Sequence, residues 1–195
     1  VNEQIIRTMG NKDDLVVSYL NCSQEAIQPI VDTAFTQEET KSKTGANTTW
    51  LMDCRKGLSK TENLQAAADW FVEILDKQNI NQIVVKGYGA YFLAGSVLTT
   101  SYNPISGSII REERKEYALK KKIEGSLDRS KPVLLIDDII NSGSSTLDAL
   151  NALQMPANLV HCAFLLSFKW GKGAVALNKR GYFNKIHIAA EVRYR

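Results

Sequence analysis

The chain has 195 residues, 44% hydrophobic and 23% charged, with a formal net charge of +3. That balance excludes intrinsic disorder and predicts one compact domain over residues 1–195. The small positive charge suits phosphorylated small molecules as well as nucleic acid, which it does not indicate strongly. No apolar run is long enough to span a membrane.

The amino end, VNEQIIRTMGNKDD, is too polar for a signal peptide. Cys22, Cys54 and Cys162 are widely spaced, odd in number and form no CxxC pair. Cys54 and Cys162 sit in apolar, strand-like surroundings, so buried free thiols are expected. A soluble protein of a reducing compartment, cytoplasmic, follows.

In chain order, DDLVVSYL and EAIQPIVDTAF carry apolar residues at helical spacing, predicting a helical first part to about Phe35. NTTWLMDC, 47–54, reads as a strand. Thr61 is a plausible N-cap for ENLQAAADWFVEILDKQ, where Leu64, Ala67, Ala68, Phe71, Ile74 and Leu75 make one apolar face. QIVVK follows as a short buried strand, GYGAYFLAGSVLTTSY as a Gly-opened helix, and GSIIRE as a strand. RKEYALKKKIEGSLD is a charged loop or frayed helix. VLLIDDIINSGSST, 133–146, is strand, loop and helix in turn, and NLVHCAFLLS and IHIAAEV complete the strands.

Strands alternating with helices imply an α/β fold, a mostly parallel central sheet flanked by helices. Ligands of such sheets bind beyond the carboxyl ends of the strands. Asp137 and Asp138 fall at that edge, after the apolar run Val133 to Ile136. Neighbouring carboxylates repel, so the pair needs solvent, a cation or hydroxyl donors. Ribose hydroxyls donate well, and magnesium bound to a pyrophosphate would supply positive charge. In the loop that follows, Gly143 permits a tight turn, and backbone N–H groups at the next helix start can converge on a phosphate. Ser145 or Thr146 could instead simply cap that helix.

The whole string resembles the phosphoribosyl-pyrophosphate (PRPP) signature of type I phosphoribosyltransferases: apolar strand, two acidic residues, two apolar residues, then a Thr/Ser-Gly-Thr loop. Asn141 stands where that family most often has Thr. The resemblance implies the family's fold with an N-terminal hood-like region. It also implies that Asp137 and Asp138 contact the ribose hydroxyls, while Asn141, Ser142, Gly143, Ser144 and Ser145 wrap the 5′-phosphate.

Three further segments resemble the orotate branch of the family, in its order. KTGANTTWLMDCRKG matches a segment supporting base and PRPP at Lys43, Gly45 and Asp53, with Leu51 and Met52 lining the base and Ala46 replacing an Arg. VKGYGAYFLAGSV resembles the pyrophosphate loop, matching at Tyr88, with Gly89 replacing a frequent Lys or Thr. IIREERKEYALKKKIEGS resembles the catalytic loop that closes over PRPP, matching at Arg111 and Lys115. Glu112 replaces a basic residue there and Tyr117 a frequent His.

After CAFLLS the family carries Asp-Arg, whose Arg holds the orotate carboxylate; this chain has Lys169-Trp170. Trp170 can stack on a base or pack as a surface hydrophobe. By resemblance Arg111, Lys115 and Asp138 are catalytic, Tyr88, Gly89 and Lys43 bind pyrophosphate, Leu51, Met52 and Trp170 bind the base, and magnesium enters with PRPP. A homodimer is implied in the same way. His161 and His187 lie in apolar strand patterns and read as core or edge residues; no zinc spacing, Ser-His-Asp set or Walker loop competes. Two readings stay open: a transferase carrying phosphoribose from PRPP to a nucleobase, or a catalytically weakened PRPP- or nucleotide-binding regulator on the same fold.

Overall fold

The apolar runs of the sequence become the middle of a seven-stranded sheet. The computed structural model describes residues 14–37, 40–41, 47–48, 50–111 and 122–195. The central strands are β6 (Gln82–Lys86), β7 (Ser106–Ile110), β9 (Val133–Ile140), β10 (Val160–Phe168) and β11 (Ile186–Tyr194), all parallel. Two antiparallel strands flank them, β1 (Leu15–Tyr19) on β11 and β8 (Ile123–Gly125) on β7, giving the order β1-β11-β10-β9-β6-β7-β8. All nine residues of β10 are buried, as the centre of a sheet covered on both faces requires.

Alternation along the strands divides the core in two. Ile83, Val85, Leu134 and Ile136 face α1 (Gln24–Ala34), α3 (Thr61–Gln78) and α4 (Tyr88–Thr100). Val84, Val133, Leu135 and Phe164 face α5 (Ser144–Leu153) and α6 (Gly173–Lys179). Each such buried side chain contributes roughly 1.5–3 kcal/mol, and a slip of one residue would exchange the two sets. The helix after β6 thus packs on one face and the helix after its neighbour β9 on the other. Their carboxyl ends form the switch point of the sheet, where open α/β folds have the crevice that binds ligands.

Above one end of the sheet stand two small ladders, β2 (Phe35–Thr36) with β5 (Leu51–Met52) and β3 (Thr40–Lys41) with β4 (Asn47–Thr48). α2 (Cys54–Leu58) follows, packed against α1, α3 and α4. Asp53 N–H donates to Ala34 O at 2.9 Å and Lys56 Nζ to Thr36 Oγ1 at 2.7 Å, tying this hood region to the core.

Four expectations are corrected. DDLVVSYL is not helical: 15–19 is the edge strand β1, half-buried throughout, so five residues carry no resolvable helical period. NTTWLMDC is not one strand; it divides into β4 and β5, and Cys54 opens α2 rather than lying in a strand. Thr61 is the first residue of α3, with Lys60 at the N-cap and no side-chain capping bond. The charged segment passes through strand β8 and on to Asp128, while 112–121 lie outside the described residues. The cysteines are free, with Cys54 and Cys162 buried. No helix among the described residues is long and apolar enough to cross a membrane.

Candidate active site

β9 runs on through the acidic pair to Ile140, so both carboxylates belong to the strand and are half-buried, whereas the sequence suggested that burial ends before them. Asp137 Oδ1 accepts from Asp138 N–H at 2.9 Å, and Asp138 Oδ1 from Ile139 N–H at 2.8 Å. Burial pushes the Asp138 carboxyl above the usual carboxylate range, against the hydrogen bonds from Asp137 and Ile139; the negative charge of Asp53 pushes the same way as burial.

Beyond Ile140 the chain turns at Asn141–Gly143. Gly143 has φ +80°, a left-handed conformation that opens α5 without a side-chain cap. Ser145 and Thr146 therefore lie inside the helix and do not cap it. Ser142 and Ser144 hydroxyls are 3.1 Å apart at the turn. The segment after β10 is packed against this loop. A Cβ on Gly171 would fall 2.0 Å from Asn141 Oδ1, and one on Gly173 2.5 Å from Asn141 O.

The neighbouring loop leaves β6 through Gly87, φ +89°, and enters α4 at Tyr88. Gly89, in the first turn, lies against the Asp138 carboxylate. Tyr88 is largely exposed and meets Tyr91 edge-on at 5.7 Å. The structure thus brings the acidic pair, the Gly143 turn and the Gly87–Gly89 turn together at the carboxyl ends of β6 and β9.

The chain superposes on the orotate phosphoribosyltransferase of Mycobacterium tuberculosis H37Rv, solved with Fe(III) dicitrate. The TM-score is 0.70 at 18% identity, covering 85% of this chain and 93% of that one. The fold is that of the type I phosphoribosyltransferases.

Proteins of that class also recur among its sequence relatives. Orotate phosphoribosyltransferase of Methanosphaera stadtmanae is 26% identical over 122 residues, 63% of this chain and 67% of that protein. Uridine 5′-monophosphate synthase of Bos taurus is 28% identical over 139 residues, 71% of this chain and 29% of that protein, so the chain spans under a third of the bovine protein. The mycobacterial enzyme has also been solved with PRPP, and that chain matches with a TM-score of 0.59 at 19% identity, over 71% of this chain and 78% of that one. No family model matches the sequence.

Of the other anticipated residues, Arg111, Leu51, Met52 and Trp170 are described. Arg111 follows β7; its Nη1 pairs with Glu124 Oε1 at 3.0 Å, and its N–H donates to Lys122 O. In the hood, Leu51 is 40% and Met52 7% exposed, so Met52 belongs to the core. Trp170 stacks on Phe168 at 4.7 Å and on Tyr194 at 4.6 Å, with Trp50 edge-on at 5.9 Å. Its indole packs within an aromatic cluster joining the hood to the ends of β10 and β11. Lys43 and Lys115 lie outside the described residues, as do Gly45, Ala46, Glu112 and Tyr117. Among the described residues no group of three or more His, Cys, Asp or Glu is placed to hold a metal ion.

Two further cations, Lys86 and Arg55, were not anticipated. Lys86 ends β6 with Nζ 3.4 Å from Ser145 O and 3.8 Å from Asp148 Oδ2, bracing the first turn of α5. A lysine closing an otherwise apolar strand just before a glycine was its signal. Arg55 grips Asp53 through Nε at 2.6 Å and Nη2 at 2.8 Å, and that bond holds the Asp53 carboxyl below its usual range. Asp53 also caps α2 by accepting from Arg55 N–H at 3.1 Å.

Proposed function

We propose that this protein transfers the 5-phosphoribosyl group from PRPP to a nucleobase with release of pyrophosphate, orotate being the acceptor named by its relatives. The observation that carries this reading is the meeting of Asp137 and Asp138, the Gly143 turn and the Gly87–Gly89 turn at the switch point of the sheet. Carboxylates there suit ribose hydroxyls, and the exposed N–H groups of a glycine-opened helix suit a phosphate. A non-catalytic regulator is not favoured by relatives that are themselves enzymes.

In the proposed reaction the glycosidic C–N bond forms as the C1–O bond to pyrophosphate breaks, the bonding pair leaving with the diphosphate. Asp137 and Asp138 orient the ribose; Asn141, Ser142, Gly143, Ser144 and Ser145 seat the 5′-phosphate. In this proposal Tyr88, Gly89 and Lys43 bind the diphosphate, and Leu51 and Trp170 the base; Met52, proposed with them from the resemblance, is buried in the core. Arg111 and Lys115 bring positive charge to the leaving group and help exclude water. Two adjacent carboxylates are hard oxygen donors but too few for a protein-held site, which fits magnesium carried in by PRPP. When bound, magnesium supplies charge neutralisation of the diphosphate. Catalysis rests on positioning, without a protein nucleophile.

A homodimer is part of the proposal. α4 exposes Tyr88, Tyr91, Phe92 and Leu98, at i, i+3, i+4 and i+10, as one apolar face beside the crevice. The deciding experiment is magnesium-dependent pyrophosphate release from PRPP with orotate, uracil, hypoxanthine, adenine and guanine in turn. Release with one base, abolished by Asp138→Asn, is expected; no release with any base would remove the transferase reading.

A further inference from the structure

We infer that Arg55 is a substrate-binding residue whose guanidinium, braced by Asp53, presents its free edge to anionic oxygens of the bound substrates at the rim of the Asp138 crevice. The inference rests on the phosphoribosyl-transfer reading.

An exposed arginine on a short helix is ordinarily a freely turning chain. Arg55 is not. Its Nε and Nη2 are engaged by both oxygens of Asp53 in a two-bond fork. Asp53 is itself fixed: its side chain is 16% exposed, its N–H is held by Ala34 O at 2.9 Å, and its Oδ1 caps α2. The Arg55 side chain remains 52% exposed, and Asp53 is its hydrogen-bonding partner among the described residues. A guanidinium has five N–H donors, so the Nη1 edge is left facing away from the fork.

Its place makes that edge useful. α2 packs against α4, and the first turn of α4 touches Asp138 through Gly89. The hydrogen bonds and charge of Asp53 raise the Arg55 pKa, and the charge of Asp138 adds to them. Burial, then the charges of Asp138, Asp53 and Asp137, raise the pKa of Cys54. A polyanionic substrate entering so acidic a rim needs a cation held in position. Among the described residues, Lys86 is turned to Ser145 and Asp148, Lys56 to Thr36, and Lys169 to Glu191. The anionic oxygens belong either to the diphosphate of PRPP or to a carboxylate on the acceptor.

The test uses the full chain with Arg55→Gln and Arg55→Lys. PRPP, orotate and the uncharged base uracil are varied separately, with thermal melting alongside. Arg55→Gln is expected to raise one KM about tenfold or more with kcat nearly unchanged, as loss of a charge-assisted hydrogen bond does, and Arg55→Lys to restore part of it. A rise in the PRPP KM with either base assigns the diphosphate. A rise for orotate and not for uracil assigns the carboxylate. Both KM values unchanged, with only the melting temperature lowered, would reduce Arg55 to a helix brace and overturn the inference. A wild-type chain that neither turns over nor binds PRPP by calorimetry would overturn the parent reading and take this inference with it.

Discussion

A Cβ placed on Gly89 would stand 2.3 Å from Asp138 Oδ2 and 2.6 Å from its Cγ. No side chain fits there unless the carboxylate moves, so the first turn of α4 and the end of β9 are in register only with glycine. Gly89→Ala should displace the carboxylate that orients the ribose. The expected cost is about 1–3 kcal/mol of stability from overpacking, and about a hundredfold in kcat/KM from a displacement near 1 Å. Turnover and urea unfolding measured together would check this. Full activity in Gly89→Ala would mean that the Asp138 position is not critical.

Gly171 makes the corresponding contact on the other side. Its Cβ would meet Asn141 Oδ1 at 2.0 Å and the Asn141 backbone at 2.5 Å. The side-chain oxygen can rotate away, but the backbone cannot without moving the loop. Gly171→Ala is therefore expected to weaken PRPP binding by about tenfold, roughly 1.4 kcal/mol. Calorimetric titration with PRPP measures it. Affinity equal to wild type would show that the loop tolerates the shift.

What was legible in the sequence follows from how local the cause was. β9, its turn and α5 were readable because an unbroken apolar run, a glycine at positive φ and a helical period sit in one stretch of chain. LVVSY departs from the helical expectation because it is an edge strand half-buried throughout, so neither period dominates, whereas EAIQPIVDTAF does form α1. β2 to β5 are two-residue strands whose pairing depends on partners as distant as Phe35 and Met52, beyond any local pattern. The sequence points to Asp53 but not to Arg55. Its importance comes from α2 packing beside α4, a contact between segments more than 30 residues apart.

The two histidines predict a pH dependence. Lys185 Nζ lies 3.1 Å from His161 Nε2, and His161 Nδ1 lies 3.1 Å from His187 Nε2, the rings stacked at 5.4 Å. An ammonium only donates, so His161 accepts at Nε2 and carries its proton on Nδ1, donating to His187. Burial, then the charge of Lys185 and the neighbouring His187, press the His161 pKa from 6.5 down to about 4; burial and Lys185 lower that of His187 too. The unfolded chain therefore binds more protons below pH 6.5, and stability falls as pH drops from there to about 4, then levels for this group. His161 alone accounts for about 3 kcal/mol. Asp53, lowered by the Arg55 bond, acts only below its ordinary carboxylate range. Urea unfolding between pH 4 and 7.5 should show the decline, and His161→Phe should flatten it. An unchanged slope in His161→Phe would place the titration elsewhere.

The apolar face of α4 yields the last prediction. Tyr91 and Phe92 are exposed on a helix whose opposite side, Ala90, Leu93 and Val97, is buried in the core. The exposed residues project from the same helix that opens with Tyr88 at the crevice, so a second copy covering them would also stand beside the diphosphate side of the site. Sedimentation equilibrium at micromolar concentration should find a dimer. Phe92→Glu with Leu98→Glu should give a monomer of unchanged fold, because buried like charges at a two-fold interface repel and lack partners. Mixing Arg111→Ala with Asp138→Asn then asks whether subunits share a site. Activity recovered in the mixture, where each variant alone is inactive, would mean that the loop bearing Arg111 serves its partner. A wild-type chain that stays monomeric would rule out α4 as a self-association surface.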